Sequence, residues 1–368
     1  MGSGEFAQAI DQKILRFIRQ SFPDHPSDES FNQLALEIFA YQFEHNTTYR
    51  MFCIQRRATP DRIDCWEGIP AAPVGAFKSG AFSCFDPRMA VRIFETSGTT
   101  AGIPGRHYFD TLALYDEAAL PNFSRHVLPD AISIPMRMLM PTPEDSPRSS
   151  LVYMCQIVSD AFSNDTKWYI QNGRLNTDGL ASDLEISADT QTPRLLMGTT
   201  FSFIHFFADL ESSRQKVSMP KGSRIMETGG TKGRAREIPR EQFLRQAADL
   251  LGIEAIGIVN EYGMTELTSQ MYDDSLRRVA HTGTAGTPVK IPPPWMRILI
   301  IDPVTQDPAP AGVPGLVRIW DLSNRGSAVA IQTEDIGVRE GNGYRILGRA
   351  IGADPRGCSR AVDEMLSN

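Results

Sequence analysis

The chain has 368 residues, of which 41% are hydrophobic and 22% are charged, and both shares are ordinary for a globular protein. Its formal charge of −7 argues against a nucleic-acid binder, because contact with phosphates needs clustered lysine and arginine. No apolar run reaches the roughly 20 residues that span a bilayer, and the five scattered cysteines favour a reducing compartment, so we expect a cytoplasmic protein.

The N-terminal region is predicted to be helical. Residues 1–6 resemble a cloning scar and are left out of the fold prediction. From about Phe6 to Gln55, apolar residues recur at the spacing of one helix face, and Pro23 and Pro26 separate two helical segments. We expect these helices to form a layer that packs on the core that follows.

The next segment contains a loop rich in hydroxyl groups. A proline-rich connector, Ile69–Lys78, and a strand-like run, Val91–Phe94, precede the loop Glu95–Arg106. Its glycines allow several N–H groups to point at one anion, and its short hydroxyl side chains add donors, so the loop is predicted to bind phosphate. A solvated turn is the alternative that composition alone supports. The residues predicted to contact phosphate are Thr96, Ser97, Thr99 and Thr100, with the backbone of Gly98 and Gly102.

The middle third of the chain alternates predicted strands with predicted helices, which indicates an α/β fold. Continuous apolar runs are typical of buried parallel strands, and two are interpreted in this way, Met136–Met140 and Leu151–Val158. Helices are predicted at Asp110–Val127 and Pro239–Leu251, and a further strand at Ala255–Val259. Ligands of open α/β sheets bind beyond the carboxyl ends of the strands. The polar loops expected at this edge are Thr96–Gly102, Gly229–Gly233 and Tyr262–Glu266.

The composition changes near Gly286, where prolines begin to separate short β-type runs such as Met296–Ile301 and Leu316–Trp320. This pattern predicts a small β-rich subdomain. We therefore expect two parts: a helical N-terminal layer with an α/β core over residues 7–285, and a β-rich subdomain with the C-terminal segment over residues 286–368.

Four motifs in chain order resemble those of the adenylate-forming enzymes, the superfamily of acyl-CoA synthetases, adenylation domains and luciferases. Thr96–Pro104 is similar to the phosphate loop of that superfamily, and Tyr262–Glu266 to its Tyr-Gly-x-Thr-Glu motif. Asp335 and Arg349 resemble its later aspartate and Gly-Arg motifs. The resemblance implies a large domain of mixed and parallel sheets flanked by helices, with a small C-terminal β subdomain. We expect the C-terminal lid domain of the superfamily to be absent.

A narrower resemblance is to the LuxE-type acyl-protein synthetases. The stretches that carry it are Ile69–Lys78, Glu227–Gly233 and Leu347–Ser359. Members of that family activate a fatty acid with ATP, hold the acyl group as a thioester on a cysteine near the C-terminus, and pass it to a partner reductase. The resemblance therefore implies a ligase that uses ATP and Mg²⁺ and works with an acyl reductase or an acyl carrier.

The chemistry of adenylation agrees with the motif residues that the resemblance selects. A carboxylate must attack the α-phosphate of ATP, so the site needs donors around the pyrophosphate and a divalent cation that neutralises developing charge. The resemblance implies that Glu266 holds Mg²⁺ and that Thr265 donates to the α-phosphate. It also implies adenine contacts from Tyr262, Gly229 and Gly230, a place for Gly263 in the nucleotide site, and ribose contacts from Asp335 and Arg349.

The acyl half of the site is less defined by the sequence. His205 lies in an aromatic run, where it either contacts the substrate carboxylate or fills the core. The phenylalanines at 201, 203, 206 and 207 either line an acyl pocket or pack in the core. Since the lid domain would carry the lysine that contacts the reacting carboxylate, Lys232, Arg349 or a partner protein is expected to replace it.

Cys358 decides which group accepts the acyl chain. Arg356 and Arg360 flank it, and cationic neighbours favour the thiolate form that attacks an acyl-adenylate. A phenylacetate-type CoA ligase is the alternative, in which Cys358 is dispensable and the product is an acyl-CoA. A scaffold subunit of a reductase complex, without catalytic activity, is the second alternative.

Overall fold

The computed structural model describes residues 3–22, 26–78, 82–96, 104–229 and 238–350. The α-helices of these residues are α1 (Ser3–Gln20), α2 (Asp28–His45), α3 (Thr47–Gln55), α4 (Ala113–Val127), α5 (Ser150–Phe162), α6 (Thr177–Asp189), α7 (Thr200–Ser213), α8 (Arg240–Leu251) and α9 (Ser275–Thr282). The strands are β1 (Ala72–Pro73), β2 (Arg92–Glu95), β3 (Arg106–Phe109), β4 (Met136–Pro141), β5 (Thr166–Gln171), β6 (Arg174–Leu175), β7 (Leu195–Thr199), β8 (Arg224–Thr228), β9 (Ile258–Tyr262), β10 (Met271–Asp273), β11 (Lys290–Ile291), β12 (Met296–Ile301), β13 (Gly315–Asp321), β14 (Ala330–Glu340) and β15 (Gly343–Arg349). Within these ranges, none of the helices is both long enough and apolar enough for a membrane span.

The chain folds into two compact units. Within the described residues, unit 1 is drawn from Met1–Ala118, Met264–Ser269 and Pro292–Asn368, and unit 2 from Ala119–Gly263 and Gln270–Ile291. Helix α4 carries the chain from unit 1 into unit 2. The sequence therefore runs from unit 1 into unit 2, returns to unit 1 at Met264–Ser269, re-enters unit 2 at Gln270–Ile291, and then continues in unit 1.

This arrangement groups the N-terminal helices with the β-rich segment, which the sequence-based division at residue 286 keeps apart. The physical reason is a buried side chain on α2: Gln42 donates to the Asn324 carbonyl at 2.8 Å and accepts the Val329 N–H at 2.7 Å. Helix α1 begins at Ser3, so part of the segment that resembles a cloning scar is helical. The ring of Phe6 lies 5.8 Å from that of Tyr41.

Unit 1 combines the N-terminal helices with an antiparallel sheet. The predicted helical spacing is confirmed on α1, where Ile10, Ile14 and Ile18 are all buried. Ser27 and Asn46 cap α2 and α3, since the side-chain oxygen of each accepts a backbone N–H three residues further on. The sheet has the order β12-β13-β14-β15, with β1 parallel to β14.

Unit 2 carries a mixed sheet with the order β11-β10-β9-β8-β7-β4-β5-β6. Strands β5, β4, β7, β8 and β9 are parallel, while β6, β10 and β11 pair antiparallel. Buried side chains from the helices, such as Leu184 on α6, Phe207 on α7 and Phe243 on α8, form one core cluster with strand residues such as Leu196. The predicted α/β class is confirmed.

One predicted strand is wrong. The apolar run Leu151–Val158 belongs to helix α5. Val152, Cys155 and Ser159 recur every three or four residues and are all buried, which is the spacing of a helix face. Ser149 caps this helix, because its Oγ accepts the Val152 N–H. A short apolar run does not distinguish a buried strand from a buried helix.

Candidate active site

The hydroxyl loop joins two strands of an antiparallel hairpin in unit 1. Strands β2 and β3 place Glu95 opposite Arg106, with 3.0 Å between Arg106 Nε and Glu95 Oε1. At the base of the loop, the Thr96 N–H donates to the Gly105 carbonyl and the Gly105 N–H donates to Thr96 Oγ1, both at 2.9 Å. Thr96 therefore closes the loop with both its backbone and its hydroxyl oxygen. The predicted phosphate contacts Ser97, Gly98, Thr99, Thr100 and Gly102 lie outside the described residues.

The place of this loop in the fold differs from the prediction. We expected the loop to follow a strand of the main sheet, but β2 pairs with β3 in a separate two-stranded sheet. The second strand of the hairpin was missed because Pro104 and Gly105, which are typical of turns, directly precede it. The loop is consequently anchored at both of its ends.

The other two predicted loops follow adjacent parallel strands of unit 2, as expected. Strand β8 ends at Thr228, which is paired with Glu261 on β9. Gly229 comes next, with a φ of +78° that favours glycine. Gly263 follows β9, and a Cβ there would meet the Glu261 carboxylate, which would have to shift to admit another residue. Tyr262, the last residue of β9, is half-buried.

A buried carboxylate organises the end of β8, and sequence analysis did not select it. Glu227 is 1% exposed and accepts hydrogen bonds from the side chains of Thr200, Arg240 and Asn260. The Thr200 hydroxyl also lies 2.7 Å from the Gly229 carbonyl oxygen. The network thus ties the first glycine of the predicted adenine loop to the start of α7. Its partners are distant in sequence, so no local pattern indicates it.

Helix α7 divides the aromatic run into buried and exposed residues. Phe203, Phe206 and Phe207 are fully buried in the core of unit 2, so core packing accounts for them. His205 and Phe201 are exposed instead, and their rings lie 4.5 Å apart. His205 therefore does not fill the core, and its contact with the substrate carboxylate stays a prediction.

The predicted ribose pair is brought together by the sheet of unit 1. Strands β14 and β15 place Asp335 opposite Arg349, with 3.9 Å between Arg349 Nε and Asp335 Oδ1. The Arg349 side chain is 55% exposed, and an ion pair this open contributes at most about 1 kcal/mol to stability. The arrangement places an acceptor and a set of donors side by side, which is what hydrogen bonding to sugar hydroxyls requires.

The Thr265–Glu266 segment lies in unit 1, outside helices and strands, and buried side chains hold its backbone. His107 Nδ1 lies 2.9 Å from the Thr265 carbonyl oxygen, and Asn324 Nδ2 donates to the Glu266 carbonyl at 2.9 Å. Glu266 itself is 7% exposed. Neither His107 nor Asn324 was selected from the sequence, because each lies more than 50 positions from the carbonyl it binds.

The described donor set is compatible with Mg²⁺ where the substrate supplies part of the ligands. Mg²⁺ prefers oxygen ligands and is commonly held by one or two carboxylates together with substrate phosphates. Across the described ranges, no three His, Cys, Asp or Glu side chains are grouped closely enough to hold a metal on their own. The Glu266 carboxylate fits the arrangement with a single protein ligand, in which the phosphates of ATP supply further oxygens.

Burial makes three cysteines poor nucleophiles. Burial raises the pKa of the Cys53 thiol to about 12, and it also raises the pKa values of Cys84 and Cys155 far above their ordinary value. A thiol that stays protonated does not attack a carbonyl carbon efficiently. Cys65 is exposed. Cys358, Lys232 and Gly230 lie outside the described residues.

Stability should fall in acid because of His126 on α4. Burial lowers its pKa to about 4; a hydrogen bond to the Asn122 backbone and the charge of Asp273 oppose this, and the charges of Arg277 and Arg125 add to it. The pKa in the unfolded chain is about 6.5, so the stabilisation is complete above that pH and is lost as the pH falls toward about 4. We expect His126 alone to lower the free energy of unfolding by about 2 kcal/mol between pH 7 and pH 5.

Denaturant titrations at the two pH values measure this loss. In His126→Gln the difference between pH 7 and pH 5 should shrink by the same amount. An undiminished difference in that variant would contradict the prediction.

Comparisons with known proteins cover nearly the whole chain. A family model described as "Acyl-protein synthetase, LuxE" matches residues 7–367. Two curated proteins, both named long-chain-fatty-acid–luciferin-component ligase, are similar to this chain. The one from Aliivibrio fischeri is 21% identical over 333 residues, which are 89% of this chain and 84% of that protein. The one from Vibrio harveyi is 19% identical over 364 residues, which are 96% and 93%.

Solved structures show the same fold. A 2-hydroxyisobutyryl-CoA ligase, in an open conformation with 2-HIB-AMP and CoA, matches with a TM-score of 0.66 and 11% identity over 89% of this chain and 76% of its own. A long-chain-fatty-acid-CoA ligase from Archaeoglobus fulgidus matches with a TM-score of 0.51 and 15% identity over 71% and 52%. The predicted fold of the adenylate-forming enzymes is confirmed.

Proposed function

This chain belongs to the LuxE family of acyl-protein synthetases, and on that premise we propose that it activates a fatty acid with ATP and then carries the acyl group as a thioester on Cys358. The observation that carries the proposal is the extent of the family match, because residues 7–367 include every motif from Thr96 to Cys358. The names of the curated relatives add support, since they specify ligation of a long-chain fatty acid.

In the first half-reaction, a carboxylate oxygen of the acid attacks the α-phosphorus of ATP. An acyl-adenylate forms, and pyrophosphate leaves with the electron pair of the broken P–O bond. Thr265 is assigned to the α-phosphate, and Glu266 would hold Mg²⁺, which neutralises charge that develops on the phosphates. The hydroxyl loop is assigned to the phosphates that leave, through Thr96, Ser97, Thr99 and Thr100 and the backbone of Gly98 and Gly102. The closed base of this loop supports the assignment, because donors on a fixed frame need little reorganisation.

The nucleoside of ATP is assigned to two further groups of residues. Tyr262, Gly229, Gly230 and Gly263 are assigned to adenine, and Asp335 and Arg349 to ribose. Two observations support these roles. Gly229 and Tyr262 stand at the carboxyl ends of neighbouring parallel strands, where α/β sheets bind ligands. Asp335 and Arg349 are direct neighbours on β14 and β15.

The reacting carboxylate needs a positive or hydrogen-bonding partner in place of a lid lysine. His205 is our first candidate, because it is exposed near the start of α7 rather than packed in the core. Lys232, in the segment after β8, and Arg349 are the cationic candidates, and a partner protein is the alternative to both.

In the second half-reaction, the Cys358 thiolate attacks the carbonyl carbon of the acyl-adenylate. A C–S bond forms, the bond from the carbonyl carbon to the phosphate oxygen breaks, and AMP leaves with its electron pair. Arg356 and Arg360 support the role, since cationic neighbours lower the pKa of a thiol. The thioester would then be delivered to an acyl reductase or an acyl carrier.

The test is exchange of labelled pyrophosphate into ATP with a panel of fatty and aryl acids, followed by tracing of the labelled acid. We expect exchange with a fatty acid and label on the protein. Label that is released as acyl-CoA when CoA is added would favour the CoA-ligase alternative. Absence of pyrophosphate exchange with every acid would contradict the proposal and favour the non-catalytic scaffold subunit.

Thr99→Ala should slow adenylation about 10- to 100-fold, because a hydrogen bond to a charged group contributes about 1.5–3 kcal/mol. The initial rate of pyrophosphate exchange measures the effect. Thr190→Ala is the matched control, since Thr190 is exposed at the end of α6. The melting temperatures of both variants should equal that of the wild type, and an exchange rate in Thr99→Ala equal to that of the control would count against the loop assignment.

A further inference from the structure

Three buried side chains of unit 1 form one hydrogen-bonded set around the Thr265–Glu266 segment. His107 and Asn324 bind the two carbonyl groups, as described above. Ser327 lies between them: its Oγ donates to Asn324 Oδ1 at 2.7 Å and lies 3.1 Å from His107 Nε2, and its single proton serves only one of these two acceptors at a time. None of the three is more than 1% exposed. We call His107, Asn324 and Ser327 the carbonyl clamp.

The polarity of the clamp follows from its partners. A carbonyl oxygen can only accept, so His107 Nδ1 must carry the proton that it donates to Thr265. The Asn324 amide nitrogen is likewise a donor to Glu266. Consecutive carbonyls of the motif each accept from one side chain, and loss of either donor would remove a hydrogen bond that holds this backbone.

Side chains also fix the remainder of this irregular segment. The N–H groups of Thr268 and Ser269 donate to the Asp321 carboxylate at 3.1 and 2.9 Å. Asp321 and Asn324 both belong to the stretch from the end of β13 to the start of β14. The backbone of residues 265–269 is thus set in place before any ligand binds, which spares the entropy of ordering it on binding.

His107 also relates this segment to the hydroxyl loop. It stands on β3 two residues after Gly105, which closes the loop against Thr96. One short strand therefore fixes both the base of the loop and the Thr265 carbonyl. We propose that His107 is a positioning residue, which sets Thr265 and Glu266 relative to the Thr96–Gly105 base of the hydroxyl loop and so determines how tightly the chain binds Mg²⁺-ATP. This proposal rests on the nucleotide-binding roles given to those residues under the proposed function.

Two substitutions of His107 distinguish the hydrogen bond donated by Nδ1 from the contribution of the rest of the imidazole ring. The amide of asparagine reproduces the position of Nδ1, whereas that of glutamine reproduces Nε2. We expect His107→Gln to bind Mg²⁺-ATP about tenfold more weakly than the wild type, and His107→Asn to restore most of that affinity. Equilibrium binding of ATP by calorimetry, with Mg²⁺ and with a chelator, measures both, and the loss should be largest with Mg²⁺ present.

His126→Gln is the control for a purely structural effect. His126 is also buried and also places its Nδ1 on a backbone carbonyl, that of Asn122 at 3.0 Å, but it lies on α4 in unit 2. This variant should lose stability and keep the ATP affinity of the wild type. Equal affinity in wild type, His107→Gln and His126→Gln would overturn the proposal, and so would equal weakening in both variants.

Failure of the underlying function gives a different result, because the wild type itself would then show no binding of Mg²⁺-ATP. If His107→Gln does not fold, Ser327→Ala provides the decisive measurement. It removes the hydroxyl that lies against both His107 and Asn324 and leaves both carbonyl bonds in place, so we expect affinity about two- to fivefold weaker. An affinity in Ser327→Ala equal to that of the wild type would then overturn the clamp.

Discussion

Replacing Cys358 with alanine should abolish covalent labelling of this chain by radioactive fatty acid in the presence of ATP. Alanine has no nucleophilic side chain, so no thiol would accept the acyl group from the acyl-adenylate. The first half-reaction does not use this residue, and pyrophosphate exchange should therefore stay within about twofold of the wild-type rate. Gel fluorography measures the label, and hydroxylamine, which cleaves thioesters, should remove it from the wild type.

Cys65→Ala is the matched control, because Cys65 is an exposed thiol in the described part of the chain. Its labelling should equal that of the wild type. The buried thiols of Cys53, Cys84 and Cys155 are poor substitutes for a lost nucleophile, since burial keeps them protonated. Undiminished label in Cys358→Ala would remove the thioester half of the proposed function and leave adenylation intact.

The largest effect on stability should come from Arg325→Gln. Arg325 is 1% exposed and donates two hydrogen bonds each to Asp11 on α1 and Asp110 after β3, at 2.8 to 3.0 Å. Burial alone would lower its pKa, but the bonds to Asp110 and Asp11 hold the pKa above its ordinary value. Glutamine would leave two carboxylates without a cation. We expect a loss of about 3–5 kcal/mol in the free energy of unfolding.

Denaturant unfolding at neutral pH measures this loss. Arg345→Gln is the control, since the Arg345–Glu340 ion pair is largely exposed and should contribute less than about 1 kcal/mol. A triple variant that combines Asp11→Asn, Asp110→Asn and Arg325→Met removes both negative charges and the cation. It should recover part of the stability lost in Arg325→Gln, because no buried charge then remains unpaired. Equal stability of Arg325→Gln and the control would contradict this account.

The fold was predictable where one local pattern decided it. The buried isoleucines of α1 follow the helical period, and β4 is buried at every position but its last, as the largely apolar run Met136–Met140 predicts. The prediction failed where the same residues fitted both the helical and the strand period. Leu151–Val158 is apolar at almost every position, so only the cap at Ser149 and the length of the element identify a helix. The β2–β3 hairpin was missed because Pro104 and Gly105, which directly precede β3, are typical of a turn.

For the candidate site, the sequence offers motifs but not the contacts that surround them. Resemblance selected Thr265, Glu266, Asp335 and Arg349, and the sheet pairing of the last two agrees with a shared role. The groups that support these residues escaped notice for a physical reason. His107 and Ser327 are separated by 220 positions, and Glu227 depends on three partners from different elements. Such polar contacts form only when the chain has folded, so no spacing in the sequence indicates them.

Unit 1 is built from separate stretches of the sequence, and this affects how it can fold during synthesis. Asp110 meets Arg325 across 215 residues, so neither this acid nor Asp11 can acquire its cation until most of the chain has left the ribosome. At about 5–20 residues per second, that delay is roughly 10–40 s. The helices α1 to α3 therefore emerge long before the strands β12 to β15 that complete their unit. During synthesis the apolar faces of these helices therefore stay exposed for longer than those of any segment in unit 2. Over that time they are either bound by a chaperone or left unprotected.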